Sequence, residues 1–355
     1  MQTDSSMPPE GHLKRFSPLR LLIPVLLGMG VTFALFHHEF NRETIGQLKP
    51  TAATGISLLL SVLCMAGRDL GLSYRFRLMG QKDGLSWWQS VRTNWLCEFT
   101  SAATPSAVGG SGFIVLFLHR EGIPLGKGTA ITIASLFLDE LFFVLAYPCV
   151  FLFFTTAELF GEQTAFTGKL RVIFFIVYFL ISAWTLILYL ALFHFPGYAG
   201  NCIRRLFRLP GLKRWAEKGE QLSETLCTSS GEMKTEPFLF WIKAFLATIF
   251  AWSCRYLAAC ALFAPFLPAG LQPIVFIRQL ILWVVMTVSP TPGGSGLSEY
   301  AFSAYYSDLP VTAEAMLFVI VCWRLVTYYA YLFIGINILP GWFKKRHRKT
   351  TTGDS

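Results

Sequence analysis

The chain has 355 residues, of which 54% are hydrophobic and 14% are charged. Soluble domains carry about 25% charged residues, so this composition excludes a soluble enzyme of this length. Lys and Arg number 30 against 21 Asp and Glu, which gives a formal charge of +9. In a soluble protein that excess suggests nucleic-acid binding, but here most basic residues fall between apolar runs, as in membrane proteins, so no nucleic-acid partner is expected.

Six apolar segments are each about long enough to cross the roughly 30 Å hydrocarbon core of a bilayer. Three of them contain no charged residue, and the other three carry charges in their interior. The sequence therefore predicts an all-α polytopic membrane protein with about six full spans. The uncharged segments are Leu21–Phe36, Thr51–Gly67 and Val172–Phe193, and the charged ones are Gly128–Ala157, Pro237–Leu267 and Val311–Leu339.

Two further apolar stretches, Leu85–Leu118 and Leu271–Tyr306, are interrupted near their middle by Pro and Gly. Each is predicted to form a helical hairpin with a broken tip. Broken backbone is tolerated at membrane depth only where protein or a wet cavity surrounds it. Broken helices also form the binding regions of many transporters, so the two hairpins are the first candidates for a functional site.

The tetrapeptide Gly-Gly-Ser-Gly occurs in both hairpins, at Gly109–Gly112 and Gly293–Gly296. Each copy follows a Thr-Pro pair and precedes an apolar stretch, a short loop and a charged span. Because three crossings separate the hairpins, they are expected to enter from opposite sides, as in an inverted repeat. The glycines leave backbone N–H groups free at a helix start, where the phosphate of a lipid head group could bind. Close helix packing is the alternative explanation for them.

Seven charged residues lie inside the apolar stretches, where each costs about 2.5–3.5 kcal/mol on insertion scales. In a structural interpretation they pair with one another, for example Glu140 with Arg324. Glu299 would then pair with Arg255 or Arg278. In a functional interpretation the arginines bind phosphate, while the carboxylates carry protons or exclude the wrong head group. The candidate substrate-binding residues are Glu98, Pro105, Gly109, Gly110, Asp139, Glu140, Arg255, Arg278, Pro292, Gly293, Gly294, Gly296, Glu299 and Arg324.

The distribution of basic residues predicts the orientation of the chain. Of the 30 Lys and Arg, 23 fall in segments assigned to one side of the membrane and four in segments assigned to the other. By the positive-inside rule both termini are cytoplasmic, in the inner (plasma) membrane. Arg68, Arg120 and Lys243 are assigned to span ends, where long side chains reach the interface. The expected parts are a tail at 1–18, a single membrane domain at 19–341 and a basic tail at 342–355.

The segment 201–236 is predicted to be cytoplasmic and to form one or two amphipathic helices. Apolar residues recur in it near helical spacing, and six basic residues lie between them within 201–218. Such a segment can lie on an anionic leaflet and bind membrane lipids. The alternative is a basic connector that only obeys the positive-inside rule.

The sequence carries no recognisable catalytic motif. A Gly-x-Ser-x-Gly elbow, a His-Glu-x-x-His pair and a Walker loop are all absent. The eight cysteines form no Cys-x-x-Cys pair and no cluster with histidine, so they are interpreted as free thiols. We therefore predict neither an enzyme nor a bound cofactor or metal.

The second hairpin resembles a known family, the lysylphosphatidylglycerol synthase transmembrane region, or flippase-like family. Thr291–Glu299 is similar to that family's Pro-x-Pro-Gly-Gly-x-Gly-x-x-Glu signature. Arg324 resembles the arginine of its last span, with Trp323 where the family has Tyr. The stretch from Asn94 to Gly110 resembles its first hairpin, and Asp139-Glu140 lies where the family tends to carry an acidic pair.

The resemblance covers nearly the whole chain and implies a lipid translocase fold. Full-length bifunctional members of the family flip an aminoacylated phospholipid and carry a soluble transferase domain after the membrane region. This chain ends at Ser355, so the resemblance does not imply synthase activity, and it does not specify the lipid. The expected function is translocation of a phospholipid or lipid-linked precursor through a head-group cavity between the hairpins. The alternatives are a membrane-embedded transferase acting on a lipid-linked substrate and an ion-coupled carrier of a small anion.

Overall fold

The computed structural model describes residues 51–104, 111–161, 165–207, 216–287, 289, 291 and 293–344. Within these residues all regular structure is helical, as predicted. The α-helices are α1 (Ala52–Gly80), α2 (Trp87–Ala103), α3 (Ser111–Arg120), α4 (Leu125–Phe153), α5 (Thr156–Phe160), α6 (Ala165–Tyr189), α7 (Pro196–Phe207), α8 (Ala216–Lys234), α9 (Phe238–Phe263), α10 (Gln272–Thr287), α11 (Leu297–Tyr305), α12 (Ala313–Arg324) and α13 (Ala330–Lys344).

Five helical segments are long and apolar enough to cross a membrane, and each corresponds to a predicted span. The sixth predicted span, Leu21–Phe36, lies outside the described residues. A π-helical turn, Leu325–Tyr329, joins α12 to α13 within one of the five. The segments are Ala52–Asp83, Leu125–Phe153, Gly168–His194, Phe238–Phe263 and Ala313–Leu339.

Helices α1 and α9 pack side by side through small residues. A Cβ atom added to Gly71 would lie 3.0 Å from the Ala247 carbonyl oxygen and 3.1 Å from the Ala251 Cβ. A Cβ atom added to Gly67 would lie 3.1 Å from the Cys254 Sγ. Residue numbers therefore decrease along α9 as they increase along α1, so the two helices are antiparallel. Small residues at such spacing allow the close backbone approach that stabilises helix pairs in a bilayer.

This antiparallel pair defines two ends of the bundle, which we call the Gly80 end and the Phe263 end. Helix α2 starts at the Gly80 end, and α3 returns to it. The Gln89 side-chain amide there donates to the Glu121 carbonyl oxygen at 3.1 Å, and Arg92 Nε lies 2.7 Å from Glu121 Oε1. The predicted first hairpin is therefore confirmed as α2–α3.

The second predicted hairpin is also confirmed, as α10–α11, and it starts from the Phe263 end. Arg278 Nη1 in α10 donates to the Tyr305 carbonyl oxygen at 3.0 Å, so α11 returns to the end where α10 began. The two tips meet inside the bundle, where the Gly293 N–H donates to the Thr104 carbonyl oxygen at 3.3 Å. The hairpins thus enter from opposite ends of the bundle, and their tips touch.

The segment predicted to be amphipathic contains two helices, α7 and α8, which pack together at the Gly80 end. Residues 208–215 between them lie outside the described part. Lys127 Nζ in α4 lies 2.9 Å from Glu232 Oε2 in α8, and Lys82 pairs with Glu236. These contacts attach α8 and the residues after it to α4 and to the loop before α2.

One predicted boundary is wrong. Helix α1 does not stop at Gly67 but continues to Gly80, so Arg68 and Arg75 lie in a helix and not in a loop. Both side chains are buried, and Arg68 lies twelve residues, about 18 Å, from the helix end, too deep for the interfacial position assigned to it. The helix tolerates them because each is paired with a carboxylate of a neighbouring helix.

Candidate functional site

The tip of the second hairpin is held by Glu299 and Arg324. Glu299, at the start of α11, accepts from the Gly296 N–H at 2.7 Å through Oε2. Its Oε1 accepts from Arg324 Nε at 2.8 Å, and Arg324 Nη1 donates to the Gly293 carbonyl oxygen at 3.2 Å. Both side chains are at most 4% exposed. A single buried ion pair therefore fixes both the start of α11 and the glycine turn before it.

The glycines of this tip are required by the backbone. Gly293, Gly294 and Gly296 have φ values of 56°, 70° and 88°, in the left-handed region that side chains disfavour. A Cβ atom added to Gly293 would lie 2.0 Å from the Tyr328 ring. The Tyr328 hydroxyl in turn donates to the Ala102 carbonyl oxygen of α2 at 3.3 Å. Pro292 lies outside the described residues, as do Pro105, Gly109 and Gly110 of the first tip.

Arg278 lies away from the hairpin tips, at the Phe263 end. It forms a bidentate pair with Asp308, with Nη1–Oδ1 and Nη2–Oδ2 distances of 2.5 and 2.7 Å. Its Nε donates to the Glu158 carbonyl oxygen at 3.0 Å. The suggested pairing of Arg278 with Glu299 is therefore wrong. Every donor nitrogen of Arg278 is engaged, so it joins α5, α10 and the end of α11.

A polar network around Arg68 connects α1, α2 and α13. Arg68 Nη2 lies 2.7 Å from Glu98 Oε1, and Arg68 Nη1 lies 3.4 Å from Asp69 Oδ1. Asp69 also accepts from the Tyr331 hydroxyl at 2.8 Å and from Trp95 Nε1 at 2.9 Å. Glu98 is thus paired, and Arg68 belongs to the buried charges of the bundle.

A second network lies about two turns further along α1. Arg75 binds Asp139 through both terminal nitrogens, at 2.6 and 2.8 Å, and donates to the Thr248 hydroxyl at 2.8 Å. Asp139 is the fifteenth residue of the 29-residue helix α4, at its midpoint, and it also accepts from Trp252 Nε1 at 2.9 Å. The pair joins α1, α4 and α9 at the level of the midpoint of α4.

Two charged residues beside these networks have no ion-pair partner within the described part of the chain. Glu140, next to Asp139 in α4, has a buried Oε2 with no hydrogen-bond partner there. The Arg255 guanidinium lies 5.9 Å from the centre of the Trp252 ring and interacts electrostatically with Arg68 and Glu98. The suggested pairing of Glu140 with Arg324 is wrong, and so is that of Glu299 with Arg255, because Glu299 and Arg324 bind each other.

We call the charged residues of these networks and their two unpaired neighbours the central cluster. Formally it contains three arginines and four carboxylates, so it retains a negative charge when all are ionised. Among the described residues no group of three His, Cys, Asp or Glu is placed to hold a metal ion. Its members are Arg68, Asp69, Arg75, Glu98, Asp139, Glu140 and Arg255.

Comparison with known proteins agrees with this architecture. Residues 21–335 match the family model described as Lysylphosphatidylglycerol synthase TM region. The chain belongs to this family. A UPF0104 membrane protein of Archaeoglobus fulgidus is 26% identical over 324 residues, covering 88% of this chain and 94% of the relative. The chain is thus a multi-pass integral membrane protein. The family that it matches is described by the transmembrane region of lysylphosphatidylglycerol synthases.

In this member of the lysylphosphatidylglycerol synthase TM family, the signature-like stretch Thr291–Glu299 builds the tip of the second hairpin. Its carboxylate and the arginine of the last long span bind each other, 25 positions apart in sequence. A bidentate phosphate clamp at Arg324 is not available in this conformation, because Nε and Nη1 already bind protein oxygens. Only its buried Nη2 lacks a partner among the described residues.

Sequence analysis missed Arg68, Asp69 and Arg75 as members of the central cluster. One signal was present. Arg68 and Arg75 are seven residues apart, two turns of a helix, and therefore share one face if the helix continues past Gly67. Partners for both were also present in the apolar stretches as Glu98 and Asp139, but which helix faces carry them depends on how the helices pack.

Proposed function

We propose that this protein translocates a phospholipid or a lipid-linked precursor across the inner membrane. The observation that carries the proposal is the central cluster, in which the ionisable residues Arg255 and Glu140 lie within spanning helices and have no ion-pair partner in the described part of the chain. Unpaired charges at membrane depth are costly and commonly mark substrate pathways. Arg255 is the residue we assign to the phosphate of the head group.

A guanidinium suits this role because its fork of N–H donors matches two phosphate oxygens. The other two arginines of the cluster are occupied by Glu98 and Asp139, which leaves Arg255 to receive the incoming anion. Trp252 supports both sides of the site, since its ring lies beside Arg255 and its Nε1 binds Asp139. To Glu140 we assign the uptake and release of a proton that balances the charge of the central cluster.

The hairpins supply the moving part of this proposal. Their tips are in contact where the Gly293 N–H donates to the Thr104 carbonyl oxygen. The Tyr328 hydroxyl, from the turn before α13, donates to a carbonyl oxygen of α2. We treat the two halves as an inverted repeat, with the same order of helix, glycine break, helix and long span. Separation of the tips from one end and then from the other would open the central cluster to each leaflet in turn. Cytoplasmic termini are part of the same proposal.

The test is transport in proteoliposomes that contain fluorescent phosphatidylglycerol in one leaflet. Translocation is measured by dithionite reduction of the label, and the lipids are then analysed by mass spectrometry. We expect movement of the label above that of protein-free vesicles, with the mass of the lipid unchanged. A change in lipid mass would favour the membrane-embedded transferase, and inorganic phosphate uptake without lipid movement would favour the small-anion carrier.

A further inference from the structure

A concave groove of about 540 Å³ runs over the surface between α1 and α9 near the Gly80 end. Its floor is the close contact of the two helices at Gly71 and Ala247. Its walls are apolar side chains that are each at least half exposed. The wall residues are Leu70, Trp87, Leu246 and Phe250.

The groove has a polar mouth. Lys243 lines it and is exposed, and no ion pair joins its ammonium group to a carboxylate within the described chain. Lys243 is the sixth residue of α9, so it lies about 7.5 Å from the helix start, at the depth of an interface. The Tyr74 and Trp87 rings stand 6.1 Å apart beside it. Aromatic rings of this kind collect at the head-group level of a bilayer.

The exposed apolar face of helix α6 differs from the groove, although Lys169 and Arg171 lie at its start. Helix α6 also exposes large apolar side chains, including Ile176, Phe179 and Leu180, but it has no charged residue between Val172 and Leu188. A lipid-facing surface therefore does not by itself explain the groove. What distinguishes the groove is a concave apolar channel that ends at Lys243, which has no ion-pair partner among the described residues.

We propose that this groove binds one anionic glycerophospholipid, with an acyl chain between Leu70 and Phe250 and the phosphate on Lys243. The groove extends from Lys243 to Phe250, seven residues or about 10.5 Å along α9, which accommodates the part of an acyl chain nearest the head group. The cation at its mouth favours a head group with a net negative charge. This site lies on the outer face of α1 and α9. Binding there does not require translocation. A negative result for lipid binding in the groove would therefore not contradict the proposed transport function, and the reverse also holds.

The test uses the full-length protein in nanodiscs that contain phosphatidylglycerol with a photoactivatable group near the middle of one acyl chain. After irradiation, lipid adducts are mapped by peptide mass spectrometry. We expect adducts on the peptides that contain Leu70–Tyr74 and Lys243–Phe250. The Lys243→Gln variant should lower this labelling about fivefold, the effect of one basic residue near an anionic surface. Lys243→Arg should retain it.

Lys234→Gln is the matched control, because Lys234 is an exposed lysine at the same end of the bundle but outside the groove. It should leave groove labelling unchanged. Unlabelled phosphatidylglycerol should compete about fivefold better than phosphatidylcholine. Absence of adducts in the groove peptides, equal labelling of wild type and Lys243→Gln, or equal competition by phosphatidylcholine would each overturn the proposal.

Discussion

The Glu299–Arg324 pair and the central cluster are both buried charge sites, but they differ in how completely their charges are matched. At the hairpin tip one carboxylate meets one arginine, and the remaining oxygen of Glu299 binds a backbone N–H. In the central cluster four carboxylates surround three arginines, and Arg255 and Glu140 have no ion-pair partner within the described chain.

In our proposal, this difference separates a structural site, the hairpin tip, from a binding site, the central cluster. A matched pair fixes one geometry, and replacing either member leaves a buried charge alone. An unmatched cluster is expensive in the empty protein. Because it holds one more carboxylate than arginines, we expect an anion to bind at Arg255 together with a proton on Glu140. The stretch that resembles the family signature, Thr291–Glu299, therefore belongs to the hairpin tip, to which we assign a structural role. The proposed head-group site lies elsewhere, on α1, α2, α4 and α9.

The largest expected effect comes from breaking the matched pair. Arg324→Met leaves the Glu299 carboxylate buried and should destabilise the protein by about 3–5 kcal/mol. We expect low yield and a lowered melting temperature in detergent, measured by fluorescence-detected size-exclusion chromatography after heating. The double variant Glu299→Met with Arg324→Met should recover part of the loss. A single variant as stable as wild type would show that the pair is not the structural element described.

A somewhat smaller loss is expected from Gly293→Ala. The new Cβ would overlap the Tyr328 ring, and alanine disfavours the positive φ of this position. Strain and overpacking together should cost about 2–3 kcal/mol. Gly55→Ala, whose Cβ would meet no atom within 4 Å, is the matched control and should not lower thermal stability, since alanine is favoured over glycine within a helix. Equal melting temperatures for the two variants would contradict the tip geometry.

Much of the framework could be predicted from the sequence, because hydropathy and helix-breaking residues are local properties. The two hairpins were located by the Pro and Gly between apolar runs, and α10–α11 begins and ends within one residue of the predicted stretch. The ion pairs could not be predicted in the same way. Glu299 binds Arg324 and not Arg255 because α11 packs against α12 and brings those two side chains together.

The same limit explains the wrong boundary of α1. A span defined by uncharged residues must stop at Arg68, although the helix itself continues to Gly80. What allows it to continue is the pairing of Arg68 and Arg75 with carboxylates from α2 and α4, which hydropathy does not record. Charges within an apolar stretch are therefore better evidence of interhelical contact than of a span end.

A modest effect is expected from Tyr328→Phe. This change removes the hydroxyl that donates to the Ala102 carbonyl oxygen, a contact between the last span and the first hairpin. The expected loss of stability is about 1 kcal/mol. If the tips separate during transport, the variant should also translocate lipid faster than wild type, because the closed arrangement loses one bond. Slower transport by a fully folded Tyr328→Phe protein would argue against separation at this contact.

The smallest effect on stability is expected from Glu140→Gln. The carboxylate makes no ion pair within the described chain, so its replacement by a neutral amide should shift the free energy of unfolding by less than about 1 kcal/mol. Asp139→Asn, the neighbouring change, breaks the bidentate bond to Arg75 and should destabilise the protein by several times as much. Comparable losses in the two variants would remove the distinction between paired and unpaired acids of the cluster.

The most direct test of the head-group site compares Arg255→Gln with Arg324→Lys in the dithionite assay, with transport normalised to the amount of folded protein. Arg255→Gln should fold normally and lose at least about tenfold in transport, since a charge-assisted bond to phosphate contributes about 1.5–3 kcal/mol. Folded Arg324→Lys protein should be scarce but should transport at a near wild-type rate per molecule. Wild-type transport by Arg255→Gln, together with selective loss in well-folded Arg324→Lys, would instead place the phosphate site at the hairpin tip.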